Sequence, residues 1–319
     1  MKNEAQVIVG VDIGATKVAA GLVSVEGEIV ARYRTPMLTT GTAADGLAAV
    51  STAVEGLLTG GISRHQISAI GVCAPGPLEP KSGVIINPPN LPIWHNYPLA
   101  DEMRKLYGVP VRIDNDANAA ALAESKWGAG RDYRNLFYVT IGTGIGTGII
   151  LDRQIFHGKT GAAGEGGHVG IDINGPLCNC GKRGCIETLA AGPAIARRAR
   201  AKLSQYPGSI LWEMAAGDLH AVTSEMVGKA FAVSDPAAQE VMRETLDLLA
   251  YWLGSMIDLL EPEAIVIGGG ASALFAPLLE DIRARWRGAC INPFPLNTPL
   301  LIARYGEEAG IAGAAALCA

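Results

Sequence analysis

The chain has 319 residues, 49% hydrophobic and 18% charged, with a formal net charge of −5. That balance supplies a core large enough for two ordinary domains and excludes global disorder. It also lacks the basic excess that nucleic-acid binding usually needs, although backbone amides or a metal can still hold a phosphate ligand.

Met1 to Gln6 lead straight into a strand-like run at 7–11, without the cationic and apolar stretches of a secretory leader. The segment VIVGVDIGATKVAAGLVSVEGEIVARYRT reads as strand, glycine turn, strand, Glu26-Gly27 turn and strand. Helical patterns follow at 43–58 and 99–107, and strands at 67–72 and 109–113. Residues 75–98, rich in Pro and Gly, read as an irregular loop long enough to be functional. The sequence DNDANAAALAES from Asp114 is a helix start. NLFYVTIGTGIGTGIILDRQIF then repeats the opening theme, which suggests two related α/β halves. Helices are expected at 192–203, 224–233 and 236–260, a strand at 264–267, and a small-residue helix in GIAGAAALCA. The apolar window at 246–257 is too short and too interrupted to span a bilayer, so it reads as a core helix.

Three glycine turns follow strands. The turn holding Asp12, Gly14, Thr16 and Lys17 fits either a phosphate cradle with Asp12 facing Mg²⁺ through water, or an ordinary hairpin. Thr140, Gly142, Thr143 and Gly144 form a richer turn followed by a strand, so its glycine spacing does not indicate a dinucleotide fold. Gly268, Gly269 and Gly270 would give a third close approach, suited to the flat face of adenosine. Together they favour a nucleotide site.

Asn115 and Asp116 stand at the predicted helix start. A carboxylate there is stabilised as an anion and can take a proton from an attacking hydroxyl, and both residue types also cap helices. Among six cysteines, Cys178, Cys180 and Cys185 lie within eight residues. With His168 they match the ligand types of a structural zinc site, although the spacing is not that of a zinc finger. Such an ion would fix the loop bearing Glu165 and Glu187, whose carboxylates can accept bonds from sugar hydroxyls or simply be solvated. The other three cysteines read as small hydrophobes.

The DxGxTK turn, the NDANAAALAE helix start, the TxGTGxG turn, the ExGH segment and CxCGxxGCxE occur in an order that resembles the ROK (repressor, open reading frame, kinase) family of sugar kinases. The resemblance implies an α/β, two-domain actin/hexokinase-like (ribonuclease H-like) ATPase fold with an inter-domain cleft. The smaller domain would hold 1–117 plus about 303–319, and the larger, about 118–302, would carry the zinc.

It further implies Asp116 as catalytic base, with Gly76, Asn90, Asn115, Glu165, His168 and Glu187 around the sugar. His168, Cys178, Cys180 and Cys185 would hold zinc, and the glycine turns ATP and Mg²⁺. Ala15, where the family commonly has a second glycine, is a small departure in that turn. The implied activity is phosphorylation of a hexose 6-hydroxyl, glucose first and an N-acetylhexosamine (N-acetylmannosamine or N-acetylglucosamine) as alternative. The implied setting is a cytoplasmic homodimer or homotetramer without nucleic-acid or membrane partners. A sugar-sensing regulator is the rival class, and residues 1–6 leave no room for its DNA-binding segment.

Overall fold

The computed structural model describes residues 7–38, 40–59 and 63–319. The expectations that rest on residues 1–6, no leader and no DNA-binding segment, lie outside the described residues. Among those described, no helix is long and apolar enough to cross a membrane.

Strands β1 (Val7–Ile13), β2 (Lys17–Val23) and β3 (Ile29–Pro36) form an antiparallel meander. After α1 (Ala43–Leu58) and β4 (Ile67–Ala74) come a short hairpin of β5 (Leu78–Glu79) and β6 (Val84–Ile85), then α2 (Leu99–Tyr107), β7 (Val111–Asn115) and α3 (Asp116–Lys126). Strands β8 (Leu136–Ile141), β9 (Ile145–Leu151) and β10 (Gln154–Ile155) follow. Helices α4 (Ile186–Ala190), α5 (Gly192–Lys202), α6 (Leu211–Met214), α7 (Ser224–Ala232) and α8 (Pro236–Leu260) come next. The chain then forms β11 (Ala264–Gly268), α9 (Ser272–Phe275), α10 (Leu279–Arg285), β12 (Leu300–Ile302) and α11 (Ala309–Ala316).

The two sheets share one order, β3-β2-β1-β4-β7 and β10-β9-β8-β11-β12. The repeated hairpin theme of the sequence is therefore a repeated topology, with the third strand of the second copy reduced to two residues. Strands β1, β4 and β7 run parallel, as do β11 and β12, the arrangement that helical crossovers produce.

The chain forms two compact units. One comprises Tyr138 and the described residues before it, Gly148–Gly164 and Arg304–Ala319. The other comprises Val139–Thr147 and Glu165–Ala303. The first unit thus extends beyond residue 117, because α3 packs closely against α11.

In this unit the central strands β1, β2 and β4 are largely buried on both faces. Val50, Ala53, Val54 and Leu57 of α1 join Val9, Val11, Ile70 and Val72 in one core. Ile311 and Ala315 of α11 join Ala19 and Val23 in another. A side chain at Gly10 or Gly71 would overlap the α11 carbonyls of Ile311 or Ala314, and one at Gly313 would overlap the α3 backbone at Ala119. A helix of alanine and glycine is what permits this backbone-level approach. At the other end of the length scale, α8 opens on Asp235, which accepts from Ala238 N at 3.0 Å, and buries Leu249, Trp252, Leu253 and Ile257, as expected of a core helix.

Residues 75–98 are more ordered than their composition implied. Ile85 and Tyr97 exchange backbone bonds of 2.9 and 2.8 Å, Leu91 and Trp94 are fully buried, and Trp94 stacks on Tyr97. The strand runs are too short to show a period, and the packing is supplied by residues distant in sequence.

Candidate active site

In the first unit, the parallel strands bring chemistry to their carboxyl ends. Asp12 near the end of β1 is paired in register with Cys73 of β4, which is paired with Asp114 of β7. The Cys73 thiol lies 3.5 Å from Asp12 Oδ1 and 3.3 Å from the Gly310 carbonyl. Burial pushes that thiol well up, and Asp12, Asp116 and Asp114 push it further, so the carboxylates named from the two motifs converge on one spot. Burial also raises Asp12, opposed by the Cys73 bond and by Lys17 and Arg34. Gly310 has no room for a side chain against the Asp12 carboxylate. The turn beyond is closed by Gly14 N donating to the Lys17 carbonyl at 2.9 Å, with Thr16 and Lys17 exposed.

At the start of α3 the capping role falls to one residue. Asn115 is the cap, its Oδ1 accepting from Ala117 N at 2.9 Å and Asn118 N at 3.4 Å. That leaves its Nδ2 as a donor, and Gly76 faces that amide with open space around its Cα. Asp116 is the first helical residue, exposed, with Oδ1 accepting from Ala117 N at 2.7 Å. Asn90 sits on an exposed turn closed by Leu91 N and the Pro88 carbonyl, with no bond to Gly76 or Asn115 among the described residues.

Beneath this turn is a pair that the sequence reading passed over. Asp114 is 2% exposed, and its Oδ1 accepts from Asn115 N at 2.8 Å and from Asn118 Nδ2 at 3.0 Å. Its Oδ2 lies 2.6 Å from His157 Nε2. The Asp114 bond raises the His157 pKa, with burial acting against it. A lone histidine more than one element away in sequence carries no pattern that would have revealed it.

In the second unit, the turn from Thr140 to Gly144 meets the predicted glycine run. Gly269, at φ +85°, packs so closely on Thr140 and Ile141 that no side chain fits, and Ala271 N donates to the Ile141 carbonyl at 2.9 Å. Gly268 closes β11 rather than joining the turn. Around Gly142 and Gly270 a Cβ would meet nothing within 4 Å, which leaves space for a ligand beside exposed Thr143. Gly142 N donates to the Gly144 carbonyl at 2.9 Å, and Ile145 N donates to Glu187 Oε2 at 3.0 Å. Glu187 thus ties the Gly-rich turn to α4 through one oxygen.

Gly167 packs directly on the Ile145 carbonyl, and Gly166 N donates to Thr147 Oγ1 at 2.8 Å. This clamps the turn that carries exposed Glu165 and half-buried His168.

His168, Cys178, Cys180 and Cys185 each offer one donor atom, all within 4.8 Å of one another. His168 Nδ1 is 3.5 Å from the Cys178 sulfur, and the Cys180 and Cys185 sulfurs are 3.6 Å apart. The loop is shaped by bridges pairing Leu177 with Arg183 and Gly170 with Cys185, and by Gly181 and Gly184 at positive φ. A backbone bond from Lys182 holds the Cys180 thiol down, whereas burial and the neighbouring thiols push Cys185 up to about 12. One imidazole and three thiols gathered in this way suit a tetrahedral metal ion. With Nδ1 in the cluster, the other ring nitrogen of His168 remains for a second partner.

The sequence pattern of the ROK family matches residues 8–319. A glucokinase of Streptomyces coelicolor is 35% identical over 97% of this chain and 96% of its own length. An N-acetylmannosamine kinase of Salmonella arizonae is 31% identical over 96% of both. The ROK family glucokinase of Streptomyces griseus, solved in complex with glucose and AMPPNP, is 33% identical and superposes with a TM-score of 0.82 over 98% of both chains. The repeated sheet order and these likenesses identify the actin/hexokinase-like ATPase fold, and the chain belongs to the ROK family.

Proposed function

We propose that this protein transfers the γ-phosphoryl group of ATP to the 6-hydroxyl of a hexose, with glucose as substrate. The observation that carries the reading is Asp116: an exposed carboxylate in the first turn of α3, beside a cap residue with a free amide and near the half-buried Asp12. The resemblance to glucokinases over nearly the full chain supports it.

In this reading Asp116 accepts the proton of the 6-hydroxyl as that oxygen attacks phosphorus. Asn115 Nδ2, Gly76 and Asn90 are the sugar ligands proposed in the first unit, and Glu165, His168 and Glu187 those proposed in the second. Glu187 uses Oε2 on the Gly-rich turn, so Oε1 is the oxygen left for a hydroxyl. Thr16, Lys17 and the backbone of the Thr140 and Gly269 turns hold the triphosphate and adenosine. Mg²⁺ beside Asp12 would neutralise phosphate charge during transfer. Zinc on His168, Cys178, Cys180 and Cys185 would fix the sugar loop and take no part in the reaction. A cytoplasmic dimer or tetramer belongs to the same proposal, supported by exposed Tyr251 and Leu259 on α8 and by Ile291 and Phe294.

The test is ADP release, coupled to an optical signal, across glucose, mannose, fructose, N-acetylmannosamine and N-acetylglucosamine. Glucose is expected to give the highest kcat/KM. A preference for an N-acetylhexosamine would establish the second reading, which the Salmonella arizonae relative supports. No sugar-dependent ADP release from any of them would defeat the kinase assignment.

A further inference from the structure

The first unit carries a cavity of about 890 Å³ along β7, the edge strand of its sheet, walled also by the start of β10, the end of α11 and residues 157–161. Its volume is that of a small-molecule site. Its charge is opposite to that of the chain as a whole. Lys81, Arg104, Arg112, Lys126, Arg153 and Lys159 line it, against two carboxylates, in a protein of net charge −5.

Both carboxylates are engaged locally. Glu79 accepts from the Ser82 hydroxyl at 2.6 Å, and Asp114 is taken by Asn115, Asn118 and His157. Among the described residues, neither is ion-paired with any of the six cations; Arg104 is paired with Asp101, and Lys126 donates to Ala319 O at 2.6 Å. Several of the cations are instead held by carbonyl oxygens, which fix a side chain without cancelling its charge. Arg112 donates to Leu317 O at 2.9 Å, Arg153 to Arg131 O at 2.9 Å and Arg104 to Val111 O at 2.8 Å. Lys126 is half-buried beside the Arg112 guanidinium, and burial and that like charge together lower its pKa. Cations preorganised in this way gain from an anion what solvated ones do not.

We propose that this groove binds a small molecule carrying two or more phosphate groups. A single phosphate would leave most of the six cations and most of the volume unused. Phosphate oxygens meet guanidinium forks bidentately and ammonium groups as point charges, and both kinds of donor are present. One end of the groove reaches His157 and its partner Asp114, which accepts bonds from Asn115 and Asn118 at the start of α3, so an occupant would sit next to the scaffold of Asp116. The source, an inorganic oligophosphate or a phosphorylated metabolite, shares this chemistry, and the experiment separates the two.

Calorimetric titration of the full chain with inorganic tripolyphosphate, and separately with a hexose bisphosphate, in excess AMPPNP to fill the nucleotide turns, tests it. The expected result is saturable binding of at least one of the two, one per chain, weakening with added salt. The K126E/R153E double variant is expected to lose at least about tenfold in affinity. Should that variant not fold, Arg153→Gln alone, an exposed position, is expected to show a smaller loss in the same direction. Whichever ligand binds more tightly identifies the source. Absence of saturable binding by both, or equal binding by wild type and folded variants, overturns the proposal. These outcomes read the groove whether or not the protein turns over a hexose.

Discussion

Asp116 and His157 are close in space to the same helix turn and make different demands on the solvent. Asp116→Asn keeps the size and the helix position and removes the base. The expected result is a fall in kcat of about 10²- to 10⁴-fold with an unchanged circular dichroism spectrum. Near-normal turnover would assign the proton to another group. His157 gains its partner only on folding, and Asp114 raises its pKa above the unfolded value near 6.5, with Lys81 acting weakly against. Its stabilising contribution is therefore complete below about pH 6.5 and is lost as the pH rises through the folded value. Urea midpoints measured upward from pH 6 should fall for the wild type and stay flatter for His157→Gln; parallel curves would show that the pair does not govern this limb. Asp116 was legible in the sequence because its neighbours form a helix-start pattern. His157 was not, because its meaning comes wholly from a carboxylate that β7 delivers from far along the chain.

Among the elements, α11 shows how much of the fold rests on the absence of side chains. Its run of alanine and glycine was readable as a helix, but an element apolar all round has no face that says what it touches. The missing half of the message is in the strands. Gly10, inside the run VIVGVDI, and Gly71, between Ile70 and Val72, mark the places where the helix backbone comes closest. Gly71→Ala would drive a methyl group into the Ala314 carbonyl, and the overpacking is expected to cost at least about 3 kcal/mol in urea unfolding. Gly288→Ala, where a methyl meets nothing within 4 Å, should change stability by less than about 0.5 kcal/mol. Equal effects at the two positions would remove the argument that backbone contact sets the value. The helices α1, α2 and α8 were legible to their ends, since caps, Pro236 and Gly108 punctuate them. Residues 75–98 were not, because two-residue strands leave no period to read.

For the molecule as a whole, the repeated order of the two sheets was visible in the repeated hairpins, whereas the extent of each unit was not. Which unit α3 joins is decided by α11, nearly two hundred residues further on. The metal prediction belongs at this scale because it concerns one unit's stability. Purified without chelator, the chain is expected to hold one zinc. Stripping it, or Cys180→Ser, should lower the melting transition of the second unit before that of the first. A metal-free chain with an unchanged melting profile would make the cysteine cluster a thiol cluster only. The seating of α11 on β1 and β4 also has a consequence for biosynthesis. A ribosome finishes β4 about 235 residues before it begins α11, a gap of roughly 10–50 s at typical elongation rates. Throughout that interval the sheet has one face uncovered, so the emerging chain offers a client surface to holding chaperones.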